Sequence, residues 1–123
     1  MRVLKGKVAS GMGNFSYWIE KLSDHYLQKT GMRLFPGTLN VHLAEEYCRP
    51  KAALRLEKEE YAGTVSVSII PCEIFGRKAY ILRTDKAEQE AESRRIIEIA
   101  TDVKLRSTYR LNDNDGVEVT VEN

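Results

Sequence analysis

The sequence predicts a mainly β domain, a barrel of short strands carrying two helical inserts, and three observations support it. Apolar and polar residues alternate over Thr38–Leu43, Thr64–Ile70 and Val117–Val121, the period of a strand with one buried face. Helical spacing is sustained only over Ser16–Thr30. Turn signals separate the runs, and there is no internal repeat, Pro-rich linker or low-complexity tract. A chain of 123 residues has the size of one domain with one core, so residues 1–123 are read as a single domain with at most one active site.

Val3 to Ala9 reads as a first strand that ends in the turn Ser10-Gly11-Met12-Gly13. From Ser16 to Thr30 the apolar Trp18, Ile19, Leu22 and Tyr26 fall on one helical face, Glu20, Lys21, Asp24 and Lys29 on the other, and Gly31 stops the helix. Pro36-Gly37 then leads into Thr38–Leu43, where Leu39, Val41 and Leu43 face the core and Thr38, Asn40 and His42 face away. Glu45–Lys58 is charge-rich, with a short strand at Ala53–Leu56. Thr64–Ile70, Cys72–Phe75 and Ala79–Arg83 form antiparallel β structure, the last two joined by a Gly76-Arg77-Lys78 turn. Asp85–Arg95 reads as a solvated stretch with helical propensity. Ile96–Ala100 is a short apolar run, Val103–Leu111 allows one or two helical turns, and Asn112–Gly116 turns into the last strand, Val117–Val121.

Composition narrows the chemistry. Nineteen Lys and Arg against 18 Asp and Glu give a net charge of +1, so no global field attracts a phosphodiester backbone and phosphate recognition has to be local. The N-terminus has no apolar run of signal or membrane-span length, which points to a cytoplasmic protein without a membrane partner. Cys48 and Cys72 fit neither a zinc knuckle nor a disulfide framework, and His25 and His42 have no ligand-spaced partner.

Four segments have chemical capacity, and each has a structural alternative. Gly11-Met12-Gly13 lets backbone N–H groups converge on phosphate oxygens, or simply makes a tight turn; it lacks the endings of a dinucleotide fingerprint or a P-loop. Thr38 and Asn40 present a hydroxyl and an amide oxygen from one strand face, suited to magnesium when a triphosphate brings the negative charge, or to supporting a turn. Lys104, Arg106 and Arg110 either contact a nucleotide or decorate a surface helix. Glu98, inside the run Ile96–Ile99, either needs a buried partner or faces water.

Taken together and in order, Gly6-Lys7-Val8-Ala9-Ser10-Gly11-Met12-Gly13, Phe35-Pro36-Gly37-Thr38-Leu39-Asn40-Val41, and Ile96-Ile97-Glu98-Ile99 with Lys104-Leu105-Arg106 closely resemble the archaeal CTP-dependent riboflavin kinases. The similarity spans nearly the whole chain, with Gly37-Thr38-Leu39-Asn40 its most specific block. The resemblance implies a six-stranded cradle-loop, riboflavin-kinase-like β-barrel with short helical inserts. It implies transfer of the γ-phosphoryl of CTP to the 5′-hydroxyl of riboflavin, giving FMN and CDP with Mg2+. By position, Gly11, Met12, Gly13, Asn14, Phe15 and Ser16 line the nucleotide phosphates, and Lys104, Leu105, Arg106 and Ser107 hold the cytidine end. Thr38 and Asn40 ligate magnesium, and Glu98 and Thr84 contact the flavin. Phe15 stands where the family usually has a further glycine, and Thr101-Asp102 where Ala-Pro is common, departures that bear on donor choice. No general base is assigned. A monomer is expected, without a nucleic-acid partner. The competing functions are a flavin- or nucleotide-binding barrel without turnover and, against the neutral charge, a DNA-binding regulator.

Overall fold

A computed structural model describes residues 1–11 and 14–122. The alternating runs become seven strands: β1 (Arg2–Ala9), β2 (Leu39–Leu43), β3 (Leu54–Leu56), β4 (Val67–Ile74), β5 (Arg77–Thr84), β6 (Ile96–Ala100) and β7 (Gly116–Val121). Six of them close an antiparallel barrel in the order β4-β5-β6-β2-β1-β7, with β7 returning to β4. Strand β3 is the seventh. It pairs with the first half of β4, from Val67 to Ile69, while β7 takes Cys72 to Ile74 on the second half. Pro71 falls in the break between the two ladders, where its missing N–H is least costly.

The inward-facing side chains are aliphatic and close-packed: Leu4 and Val8 from β1, Val41 from β2, Ile81 from β5, Ile99 from β6 and Val119 from β7 belong to one buried cluster. A second cluster lies on the outside, where Tyr80, Leu82 and Ala100 of the barrel wall meet Ile19, Leu22 and Tyr26 of the helices. This outer layer explains why β4 is buried on both faces, with Ser68, Ile69 and Ile70 all inaccessible.

Three sequence expectations change. The single helix Ser16–Thr30 is two, α1 (Phe15–Lys21) and α2 (Ser23–Thr30), because the backbone leaves helical geometry at Leu22. Ile19, Leu22 and Tyr26, spaced as on one helical face, are all buried against the barrel on either side of the break. The β4–β5 hairpin turns on Phe75-Gly76, not Gly76-Arg77-Lys78: Ile74 pairs with Arg77, and both turn residues have positive φ, 55° and 72°. That is the twist-matched two-residue loop, and Phe75 is held in it by stacking on Tyr109 at 4.3 Å. Asp85–Arg95, expected to be a solvated stretch, contains helix α3 (Asp85–Glu88) and a 3-10 turn (Ser93–Arg95), fastened to the barrel by the buried guanidinium of Arg83. A fourth helical turn, α4 (Leu105–Thr108), precedes β7. Among the described residues, no helix is long and apolar enough to cross a membrane.

Candidate functional site

The outer face of β2 is where the site begins. Strand alternation that sends Leu39, Val41 and Leu43 into the core turns Asn40 and His42 outward. Pairing then sets Ala9 of β1 and Glu98 of β6 on either side of Asn40. Just before β2, Thr38 donates its hydroxyl hydrogen to Glu98 Oε1 at 2.9 Å. Glu98 is half-buried, and burial pushes its carboxyl above the usual range while the Thr38 hydrogen bond pulls it back. Glu98 thus combines features of both readings, a hydrogen-bond partner in Thr38 and a face on an open cleft.

Gly11 stands directly over this group. A Cβ there would overlap the carboxamide of Asn40 and displace it, so the backbone that follows β1 runs close against that side chain. Met12 and Gly13 lie outside the described residues. Asn14 caps α1 by position without a side-chain hydrogen bond, Ser16 is exposed, and Phe15 packs against the helix-side cluster. Asn14, Phe15 and Thr84 line a separate, aromatic hollow of about 300 Å³ under Trp18 and Tyr61. Gly11, Asn40 and Glu98 share a cleft of about 370 Å³, lined also by Ile96 beside Glu98 on β6 and by Ala87 and Ser93 from the segment 85–95. The hydroxyl of Thr84 accepts from Ala87 N at 3.2 Å as the cap of α3.

The segment 104–107 reaches the same loop from the far side. Leu105 is buried in the barrel core, so its main chain is what it offers to a ligand; Lys104 and Ser107 are exposed. Arg106 pairs with Asp113 at 2.6 Å, and Ser10 Oγ donates to both oxygens of the same carboxylate at 3.1 and 2.9 Å. The Arg106 guanidinium, and after it the Ser10 hydroxyl, hold the Asp113 carboxyl below the usual carboxylate range. Main-chain bonds from Val8 N to Asp115 O (2.8 Å) and Asn114 N to Val8 O (2.7 Å) fix the turn that carries Asp113. Sequence reasoning missed Asp113, because the Asn-Asp-Asn-Asp-Gly run signals only a turn and its partner Ser10 is 103 positions away.

The other departure from the family pattern is structural. Thr101 is fully buried and donates to Lys78 O at 2.8 Å, its own carbonyl accepts from Phe35 N at 2.7 Å, and Asp102 pairs with Arg77 at 2.8 Å. Among the described residues, no group of three or more His, Cys, Asp or Glu comes together to hold a metal. Thr38 and Asn40 instead offer neutral oxygens, and the proton of the Thr38 hydroxyl is committed to Glu98, which leaves its lone pairs available to a hard cation.

Comparison with known proteins agrees with this geometry. The family model of the CTP-dependent riboflavin kinases, described as a domain of unknown function, DUF120, matches residues 8–121. A riboflavin kinase of Methanocella arvoryzae is 33% identical over 128 residues, covering 98% of this chain and 57% of the relative. Riboflavin kinases of Staphylothermus marinus and Aeropyrum pernix are each 28% identical, covering 96% and 94% of this chain and 90% and 92% of their own lengths. The chain thus spans little more than half of the first relative and nearly all of the other two. With a closed six-stranded barrel, a glycine seated on the Thr-x-Asn strand and a family match over almost its whole length, the chain belongs to the CTP-dependent riboflavin kinases, a family of enzymes.

Proposed function

We propose that this domain transfers the γ-phosphoryl of CTP to the 5′-hydroxyl of riboflavin, giving FMN and CDP, with Mg2+ held by Thr38 and Asn40. The observation that carries this reading is the seating of the Gly11 backbone against the Asn40 carboxamide, with Glu98 next to Asn40 across the β2–β6 pair. It brings a glycine backbone, the Asn40 carboxamide and a carboxylate into one cleft, with Thr38 hydrogen-bonded to that carboxylate.

The roles follow from the chemistry of each group. The loop Gly11–Ser16 cradles the triphosphate with its N–H groups, and the main chain and cations of Lys104–Ser107 hold the cytidine end. The Ser10–Asp113–Arg106 cluster ties these two segments into one nucleotide side. Glu98, oriented by Thr38, accepts the hydrogen bond of the flavin hydroxyl and aims its oxygen at the phosphorus. Magnesium, when bound, offsets phosphate charge. Phosphoryl transfer asks for little beyond positioning and fixed dipoles, which suits a site with no lysine of the P-loop type. On this reading the enzyme works in the cytoplasm as a monomer.

Incubation of the purified protein with riboflavin, magnesium and, in parallel, CTP, ATP, GTP or UTP tests the proposal. FMN forms with CTP in preference to the other three, and absence of FMN with every donor sinks the reading. Asn40→Ala and Thr38→Ala should lower turnover by roughly 100-fold and shift the magnesium dependence while the fold survives; an unchanged magnesium dependence in both removes them as ligands.

A further inference from the structure

The segment 85–95 forms one wall of the cleft, yet it has little to hold itself in shape. Its α3 is four residues long and its 3-10 turn three, both far below the length at which a helix is stable alone. Besides the Thr84 cap and the Arg55–Asp85 pair at its start, what fixes it is the side chain of Arg83, only 2% exposed at the end of β5. Its Nη1 donates to Glu88 Oε1 at 2.9 Å and to the carbonyl of Tyr47. Its Nη2 lies 3.4 Å from the carbonyls of Arg94 and Ile96, so one guanidinium touches both the first and the last turn of the segment. Glu88, 16% exposed, also accepts from Arg49 N at 3.2 and 3.3 Å, and Arg94 returns a hydrogen bond to Glu88 O at 2.9 Å. Tyr47 N to Arg94 O, at 2.9 Å, closes the loop between residues 47 and 94.

A buried ion pair is a poor way to gain stability, since desolvating two charges offsets most of their attraction and an apolar pair of the same volume does as well. It is a good way to impose one geometry, because a guanidinium satisfied by Glu88 and three carbonyls tolerates only one arrangement of the chain around it. The opposite side of the segment so fixed presents Ala87 and Ser93 to Asn40 and Glu98 across the cleft.

We propose that Arg83 and Glu88 are positioning residues for the phosphoryl acceptor: they set the wall Ala87–Ser93 against which riboflavin is held facing Glu98, and they leave the nucleotide side untouched. The inference rests on the kinase reading of this cleft. Among the described residues, Arg106, Asp113 and Ser10, which organise the nucleotide side, share no hydrogen bond or ion pair with Arg83 or Glu88.

Steady-state kinetics with each substrate varied in turn tests this for Arg83→Lys, Glu88→Gln and Ala87→Trp, the last altering the wall without touching the pair. KM for riboflavin should rise about tenfold in all three, while kcat and KM for CTP change by less than about threefold. Hydrogen exchange over 85–95 should quicken in Arg83→Lys and Glu88→Gln and stay slow in Ala87→Trp. An unchanged riboflavin KM in Ala87→Trp, or KM values for riboflavin and CTP that rise together in the pair variants, overturns the proposal; Ala87→Trp decides it even where a pair variant fails to fold. Failure of the wild-type protein to make FMN counts against the kinase reading instead. Riboflavin affinity, read from flavin fluorescence, then replaces KM in the same comparison, and equal affinity in wild type and Ala87→Trp overturns the wall.

Discussion

The two faces of β2 solve different problems with the same five residues. Inward, Leu39, Val41 and Leu43 are almost completely buried and meet the aliphatic side chains of the other barrel strands. Outward, Asn40 carries the weight of Gly11 and stands beside Glu98, in a cleft open to solvent. The inner face is filled by side chains, so it has no room for a substrate, and the polar candidate groups Asn40, Glu98 and Arg106 lie outside that core. The lesson is that this barrel is a scaffold for its own outer surface: stability and chemistry are assigned to alternate residues of one strand.

That division is sharpened by changes confined to one face. The largest effect belongs to the interior. Ile81, fully buried opposite Ile99 in the β5–β6 ladder, should cost about 2–5 kcal/mol when truncated to Ala. Denaturant unfolding measures the loss, and turnover per folded molecule should stay within about twofold of wild type. Turnover that falls as far as it does in Asn40→Ala would break the separation of the faces.

A smaller effect is expected at the nucleotide rim. Asp113→Asn weakens the charge-assisted bonds that join Ser10 to Arg106, and KM for CTP should rise roughly three- to tenfold, the worth of one such hydrogen bond, with KM for riboflavin unchanged. An equal change in both constants would show that Asp113 serves the fold at large.

The smallest effect is electrostatic. Arg55 binds Asp85 through two bonds of 2.7 and 2.9 Å, and this bidentate contact holds the Asp85 carboxyl below its usual value. A depressed folded-state value means that the contribution to stability is present above the unfolded pKa, near 3.9, and is lost as pH falls through the folded one. Asp85→Asn should therefore change neutral stability by less than about 1 kcal/mol, because the pair is solvent-accessible, and flatten the acid limb of an unfolding curve below about pH 4. An acid limb identical to wild type removes the pair from the account.

Much of this was legible in sequence because it is local. Period-two alternation located β2 and its two faces, and the Gly-x-Gly turn and the Thr-x-Asn pair were visible as short spacings. Leu22 interrupts the predicted helix through a local change of backbone angles that the spacing of apolar residues does not register. Phe75, an aromatic with positive φ, concealed the true hairpin turn; its stack on Tyr109 supplies the compensation. Asp113 and Glu88 were invisible as site elements, since Ser10 and Arg49 reach them from positions far along the chain.

The contact between Gly11 and Asn40 also limits how the protein can change over time. A methyl group at position 11 fits only if the Asn40 carboxamide moves aside, and the conflict disappears once position 40 is small. Gly11→Ala is then harmful in the native background and nearly silent after Asn40→Ala, a dependence of one substitution on another that pairs in contact commonly show. The amide at position 40 thus sets what position 11 can be, and a double-mutant cycle in which the two substitutions add independently would remove the coupling.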